Sequence, residues 1–218
     1  MTTRRLPRRF AQLLIGLWLY GATMAFMIES GLGLDPWDVF HEGLTIHVPL
    51  SFGAVTAIVG VAVLLAWIPL RQKPGIGTVL NVVVIAISVD VTLAWLPHAA
   101  NTAVALPMLA IGVIGNGLAG ALYVSADLGP GPRDGLWVAI VARSGLTVRL
   151  VRTSIEVLVL VTGFILGGTV GLGTIVYALA IGPVVQFFLP LVKIERPPSD
   201  GPGQPFDGNS AATASNAA

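Results

Sequence analysis

The sequence predicts an all-α membrane protein, a six-span helical bundle built from two inverted three-span repeats, each with a short interfacial or re-entrant helix. Its composition indicates the class: 55% of the residues are hydrophobic and 11% are charged, with a mean hydropathy of +0.84. These values exclude an ordinary soluble domain. Six apolar stretches are long enough to cross a bilayer. The duplication is visible because residues 15–96 align with residues 111–192 without a gap.

The repeat is carried by residues that mark turns and helix packing, since a membrane protein repeats apolar residues by chance. The informative residues that recur unchanged at an offset of 96 are Gly16, Gly21, Leu32, Gly33, Pro36, Asp38, Gly75, Gly77 and Thr78. A period this long indicates one duplicated module rather than a stack of short repeats. Because each copy holds three spans, the second copy enters the bilayer in the opposite orientation, an arrangement common among secondary transporters.

The spans divide the chain into two repeats and a tail. They are predicted near residues 11–29, 51–69, 76–96, 104–124, 148–166 and 173–192. We assign residues 1–102 to the first repeat and 103–195 to the second. Residues 196–218, rich in Pro, Gly, Ser, Asn and Ala, are predicted to form a disordered cytoplasmic tail. The N-terminus resembles a signal peptide, but its span belongs to the repeat and is expected to be retained.

Lysine and arginine indicate the orientation, because these residues stay on the cytoplasmic side of a membrane. With six spans and the N-terminus inside, all 12 basic residues fall on that side. Arg133, after the fourth span, is one of them and is predicted to lie at the cytoplasmic face. Both termini are therefore predicted to be cytoplasmic. The chain has no cysteine, which excludes disulfides and thiolate metal sites.

A turn rich in glycine and proline follows the first span of each copy, at residues 31–38 and 127–134. Glycine allows close approach of the backbone to another segment, and proline disfavours helix in the residue before it. The helices that follow, near 38–47 and 134–143, are too short to cross a membrane. They either lie along the interface or re-enter the membrane, where non-helical backbone must be buried in protein or line a cavity.

Four polar residues are predicted to begin helices. Asp38 and Asp134 are predicted N-caps of the short helices, with carboxylates that accept hydrogen bonds from the first free N–H groups. Ser51 and Thr147 are predicted to cap the spans that follow.

The turn motifs resemble those of the YczE/YitT-like family of bacterial integral membrane proteins. The resemblance rests on Gly31-Leu32-Gly33 with Pro36-Trp37-Asp38 and Gly43-Leu44, on Gly75-Ile76-Gly77-Thr78, and on Leu128-Gly129-Pro130-Gly131-Pro132-Arg133-Asp134-Gly135-Leu136. It covers about residues 10–195. The resemblance implies a multi-pass protein of the bacterial plasma (inner) membrane, and it brings no catalytic residues to carry over.

Asp90 is the clearest ionisable residue within a span, in the outer half of the third. A carboxylate near the centre of a membrane helix costs about 2.5–3.5 kcal/mol on insertion scales. Asp90 is either a protonatable or cation-binding group that faces a cavity, or it hydrogen-bonds Ser88, Thr92 or a neighbouring helix.

A pair of oppositely charged residues lies in the fifth span. Glu156 follows Arg152 by four residues, so the two side chains share one face of the helix. They form either a structural ion pair near the inner interface or, with Arg149 on the same face, a coupling or anion site built on the two arginines.

The paired turns suggest the most specific binding hypothesis. A helix N-terminus presents free N–H donors and a partial positive charge, and two such ends reached from opposite sides can converge near the midplane. The candidate lining residues are the repeated turn residues Gly33, Gly129, Pro36, Pro132, Asp38 and Asp134. They line a small-solute or ion site, or they have a purely architectural role. The two aspartates can also hold the turns rigid or bind a cation.

Motifs of hydrolases, zinc proteases and phosphate-binding loops are missing from the sequence. We therefore expect no enzyme, no cofactor, no metal and no nucleic-acid partner. The favoured function is a secondary transporter or exporter of a small solute, with its site at the repeat interface. The alternative is a non-transporting scaffold or regulator of a membrane or cytoplasmic partner, such as an enzyme or exporter. In both cases the lipid bilayer surrounds the protein.

Overall fold

The computed structural model describes residues 6–193 and contains eight α-helices and no strand in that range. The helices are α1 Leu6–Ser30, α2 Pro36–Thr45, α3 Phe52–Trp67, α4 Ile76–Leu93, α5 Thr102–Ala126, α6 Pro132–Ser144, α7 Val148–Ile165 and α8 Leu172–Val192. The predicted all-α class is thus confirmed, and each predicted span and short helix corresponds to one of these elements. The predicted disordered tail lies outside the described residues.

Four helices are long and apolar enough to cross a membrane: α1, α4, α5 and α8. The other two predicted spans differ in character. Helix α3 is apolar but has only 16 residues. Helix α7 has 18 residues and carries Arg149, Arg152 and Glu156 in its first half. Large apolar side chains are exposed along the outer faces of these helices, as expected of a surface that contacts lipid.

The short helices begin two residues earlier than predicted, and the predictions that Asp38 and Asp134 are their N-caps are wrong. Asp35 caps α2, since its Oδ1 accepts hydrogen bonds from the backbone N–H groups of Trp37 at 2.8 Å and Asp38 at 3.0 Å. Gly131 occupies the cap position of α6 and has no side chain to accept one. The reason is that proline suits the first helical position, where its missing N–H is not needed.

The other predicted caps are confirmed. The Ser51 hydroxyl accepts a hydrogen bond from the N–H of Ala54 at 3.2 Å at the start of α3. The Thr147 hydroxyl accepts one from Leu150 at 3.4 Å at the start of α7. These two residues are equivalent at the offset of 96, so the local rule that starts one helix also starts its counterpart.

Helices α1 and α5 lie at the centre of the bundle. Helix α1 packs against both α5 and α4, and α5 packs against α8. The short helices cross over between the halves: α2 packs against α7, and α6 packs against α3. On α3, the Trp67 ring lies against Gly135 of α6, and its Nε1 donates to the carbonyl of Pro132 at 3.1 Å. This crossover interlocks the two halves.

The two turns are held by equivalent hydrogen bonds. The N–H of Gly173 donates to the carbonyl of Leu32 at 2.7 Å, and the N–H of Gly77 donates to that of Leu128 at 2.8 Å. Donors and acceptors both differ by 96. Each bond joins the turn of one half to the start of the last helix of the other half. The repeat in the sequence therefore recurs as a repeated contact between the halves.

We predict that Gly33→Ala and Gly129→Ala destabilise the fold. Their φ angles are +111° and +126°, a region that costs an L-residue about 1–3 kcal/mol. An added Cβ at Gly33 would also lie 2.6 Å from the backbone N of Gly171. The control is Gly145→Ala, which also has positive φ but has open space around its Cβ position. Thermal unfolding of purified protein should show the larger loss for the two turn variants, and equal losses in all three would contradict the packing argument.

Candidate functional site

The most polar buried region lies where the beginnings of α2 and α6 meet. We call it the central cluster and define it as Asp35, Asp38, His41 and Arg133. Asp35 is the cap of α2, Asp38 and His41 follow within its first two turns, and Arg133 is the second residue of α6. Asp35, Asp38 and His41 are at most 2% exposed. Each half of the chain thus contributes to one buried group.

Arg133 bridges the acidic residues of the cluster. One guanidinium nitrogen lies 3.5 Å from Asp38 Oδ1, and another lies 3.9 Å from Asp35 Oδ1. His41 Nδ1 is 3.2 Å from the same Asp38 oxygen. The guanidinium also lies over the Trp37 ring, 5.1 Å from its centroid, a cation–π arrangement. These distances are long for charge-assisted hydrogen bonds, so the pairing leaves donor capacity on the arginine.

The prediction that Arg133 lies on the cytoplasmic side with the other basic residues stays a prediction, and the structure adds the contacts of its side chain. Its side chain is 26% exposed and is paired with the two aspartates. The positive-inside tendency describes basic side chains in loops flanking spans. Arg133 belongs to the first turn of a short helix, where carboxylates from the other half pair with its guanidinium.

The cluster has more hydrogen-bond acceptors than its donors can satisfy. Among residues 6–193, the buried atoms Asp35 Oδ2, Asp38 Oδ2 and His41 Nε2 have no hydrogen-bond partner. With both carboxylates ionised, one guanidinium leaves one negative charge uncompensated, and a buried unpaired charge is costly. Uptake of one proton or one small cation would balance the cluster. Its composition therefore suits reversible binding of a positive charge.

Two cavities lie on either side of Arg133, each with a volume of about 90 Å³, room for several water molecules. The first is lined by residues that include Tyr20, Trp37, His41, Asn81, Arg133 and Asp134. The second is lined by residues that include Asp35, Trp37, Arg133, Arg152, Glu156 and Tyr177. Both contain aromatic rings and ionisable groups, which is the composition expected of a small polar ligand site.

The structure brings most of the predicted site residues to this region. Asp38 belongs to the cluster, and Asp134 lines both cavities while accepting a hydrogen bond from the Tyr123 hydroxyl. Arg152 and Glu156 form an ion pair of 2.8 Å beside the second cavity.

The repeated prolines and glycines have different positions. Pro132 lines the first cavity and Pro36 the second. Gly33 and Gly129 lie in the turns that position the short helices, close to Thr174 and Thr78 respectively.

Asp90 lies apart from the central cluster and lines neither cavity described above. Its carboxylate accepts hydrogen bonds from the Ser51 hydroxyl at 2.5 Å and from the Gly53 N–H at 2.7 Å. It therefore joins the beginning of α3 to α4. The contact with a neighbouring helix corresponds to the structural alternative for this residue.

The sequence analysis missed Asp35 and His41. A signal was nevertheless present in the repeat, because three of the four cluster residues lie at positions where the two copies differ, Asp38 being the exception. Asp35 is equivalent to Gly131, His41 to Trp137, and Trp37 to Arg133. One copy supplies acids and the other supplies the base, so unmatched ionisable residues within otherwise matched turns would have indicated the site.

The comparisons place the chain in a family. The model described as "Family of unknown function (DUF6198)" matches residues 7–190. The chain belongs to this family. It is 42% identical to an uncharacterized protein of Haemophilus influenzae over 180 residues, which cover 83% of each chain. No solved structure matches.

Two relatives from Bacillus subtilis are also similar. The uncharacterized membrane protein YczE is 35% identical over 178 residues, 80% of this chain and 82% of YczE. The uncharacterized protein YyaS is 28% identical over 186 residues, 82% of this chain and 91% of YyaS. The resemblance to the YczE-like family is therefore confirmed. With the apolar helices described above, it identifies this chain as a multi-pass membrane protein of a bacterial membrane.

We predict that Arg133→Gln is far more destabilising than Asp38→Asn. Loss of the guanidinium leaves both carboxylates without a counter-charge, which costs about 3 kcal/mol or more for a buried group. Loss of the Asp38 charge leaves Arg133 paired with Asp35.

The Asp38→Asn/Arg133→Gln double variant should recover part of the loss, and chemical or thermal unfolding of the four proteins measures this coupling. Arg152→Gln is the control, since its ion pair is exposed and such pairs contribute about 0.5 kcal/mol. Additive losses from the two cluster substitutions would contradict the pairing.

Proposed function

We propose that this protein is a secondary transporter or exporter of a small solute, driven by a proton or ion gradient and without enzymatic activity. The observation that carries this proposal is the central cluster. Helices α2 and α6, one from each half, begin at the same buried place and bring acids and a base together there. Binding sites formed by broken or short helices at a repeat interface are characteristic of secondary transporters.

We further propose the six-span inverted architecture, with both termini cytoplasmic. The equivalent hydrogen bonds of the two turns support a duplicated module. Helix α3 has 16 residues, so it extends about 24 Å at 1.5 Å per residue. This is slightly less than the hydrocarbon core, and local thinning can accommodate the difference. In α7 the charged residues lie in the first half of the helix, where long side chains can reach the interface.

The chemistry of the cluster supports coupling to a positive charge. Asp35 and Asp38 each have one oxygen without a partner among the described residues, and Arg133 compensates part of their charge without completing their hydrogen bonds. A solute and a proton or cation can then compete for, or share, the same acceptors. Because the two cavities meet at Arg133, occupation of one changes the electrostatic environment of the other.

The transport proposal predicts solute-dependent proton movement in proteoliposomes that contain a pH-sensitive dye. We would add a panel of amines, carboxylates, amino acids and sugars under an imposed pH gradient. Asp38→Asn should abolish the response of the wild-type protein, because it removes one of the two acceptors of the cluster.

Arg143→Gln, which removes a charge of α6 that lines neither cavity described above, is the control and should retain most of the response. Each protein should first be shown to be monodisperse and helical. A folded wild-type protein that moves neither protons nor solute, together with a partner recovered by crosslinking in membranes, would favour the scaffold or regulator instead.

The architecture predicts the location of reporter fusions. A reporter placed after residue 195 should be active in the cytoplasm, and one inserted in the link between α4 and α5 should be active on the outer side. The reason is that all basic residues fall on one side of a six-span chain. Fusions that put the two termini on opposite sides would refute the inverted repeat and, with it, the proposed site between inverted halves.

A further inference from the structure

The two halves differ in how their last two helices pack. In the first half, α3 packs against α4. The equivalent helices of the second half are α7 and α8, and within the described part of the chain they make at most marginal contact. We call the space between them the α7–α8 seam. Since the halves are copies of one module, the two seams are equivalent places in different states.

The closed seam between α3 and α4 is held by a specific set of contacts, which we call the Asp90 clasp. The Asp90 carboxylate accepts from the Ser51 hydroxyl at 2.5 Å and from the Gly53 N–H at 2.7 Å. Gly53 is buried, and a Cβ there would collide with the carbonyl oxygen of Ala86. The beginning of α3 therefore approaches α4 as closely as the backbone permits.

The open seam carries the equivalent polar residues, but apart from one another. Thr147 is equivalent to Ser51 and Gln186 to Asp90. Both are exposed, and no hydrogen bond joins them in the structure as described. Gly182, equivalent to Ala86, has nothing within 4 Å of its Cβ position. The face of α8 that would receive α7 is thus uncovered.

The residue types are compatible with closure of this seam at a wider spacing. Arg149 replaces Gly53, so α7 cannot come as close to α8 as α3 does to α4. Glutamine is one methylene longer than aspartate, which adds about 1.5 Å of reach. Its amide oxygen can accept from the Thr147 hydroxyl as the carboxylate of Asp90 does from Ser51.

The open seam borders the proposed site. The second cavity is lined on one side by Ile155 and Glu156 of α7 and on the other by Tyr177 of α8. These two helices make at most marginal contact, so the seam between them borders the cavity. In the proposed topology it faces the cytoplasmic half of the membrane.

We propose that the α7–α8 seam is the entrance to the site in this conformation, and that Gln186 and Thr147 close it in an alternate conformation in which the Asp90 clasp is open. This inference rests on the proposed transport function and adds the positioning residues that expose the site to one side at a time. Asp90 and Gln186 act on the positions of helices and do not contact the solute.

The test uses single cysteines in a chain that has none of its own. Val59 lines the first cavity and Ile155 the second, and they are equivalent at the offset of 96. Val59→Cys and Ile155→Cys are therefore matched reporters. The measurement is the rate of labelling by a membrane-impermeant maleimide, from the outer face for Val59→Cys and from the cytoplasmic face for Ile155→Cys.

In the otherwise unaltered protein, we expect labelling of Ile155→Cys to be several-fold faster. Adding Asp90→Leu should reverse this order, because the clasp that holds the first seam is lost. Thr92→Val is the control, because it removes a hydroxyl from the same helix. That hydroxyl donates to the carbonyl of Ser88, within α4 itself, at 2.7 Å. This variant should leave both rates unchanged.

A second variant keeps the proposal testable even if Asp90→Leu does not fold. Gln186 has no hydrogen bond to Thr147 in this conformation, so Gln186→Leu leaves the Asp90 clasp in place and should lower the labelling of Val59→Cys several-fold. The proposal is wrong if the labelling rates of both cysteines rise together in Asp90→Leu. It is also wrong if Gln186→Leu leaves the labelling rate of Val59→Cys unchanged. If Asp90→Leu reverses the order of the two labelling rates but no solute flux is found, the gate is supported and transport is not. If solute flux is found but the labelling rates are the same in all variants, the gate is refuted and transport is not.

Discussion

The structure depends on the pairing of Arg133 with Asp35 and Asp38. These charges are buried, and a buried carboxylate without a counter-charge is costly enough to unfold a marginally stable protein. Neither half of the chain can neutralise its own part, because the acids lie in the first half and the arginine in the second. The crossover of α2 onto α7 and of α6 onto α3 is the arrangement that brings them together. The cluster thus ties the folding of each half to the presence of the other.

The scaffold around the cluster is nearly symmetric, whereas the chemistry within it is not. Gly33 and Gly129 share the same unusual backbone region, and the carbonyls of Leu32 and Leu128 accept equivalent hydrogen bonds. These repeated features place the beginnings of two short helices face to face. Without a counter-charge, the neighbouring carboxylates of Asp35 and Asp38 would only repel each other. The second copy has an arginine where the first copy has Trp37, and this arginine attracts both carboxylates. The repeat is thus preserved in its turns and differs at three of the four cluster positions.

Hydropathy and repetition predicted the helices, and hydroxyl residues predicted the starts of α3 and α7, because these signals act over one or two helical turns. The N-cap at Asp35 was missed because the prediction followed the repeated aspartate, Asp38. The proline at the first helical position, Pro36, is the residue that indicates where the helix begins. The pairing of Arg133 with the aspartates was missed because the charge distribution indicates only the side of the membrane, whereas this contact joins residues 95 positions apart in the sequence. Asp90 was recognised as unusual, but its contact with Ser51 depends on how α3 and α4 pack, which no local pattern encodes.

In the proposed transporter, the difference between the two seams has an electrostatic consequence. If both seams were closed, a charge taken up by Asp35 or Asp38 would have no polar route to water on either side. If both were open, water would reach the cluster from both faces, and the protein would leak the ions that it is proposed to couple. A duplicated module resolves this conflict when one copy is packed and the other is not, since the two states then differ by an exchange of similar contacts. The contacts exchanged are not equal, because the closed seam has the carboxylate of Asp90 where the open seam has the amide of Gln186. The difference in the strength of their hydrogen bonds would determine which side the resting protein exposes.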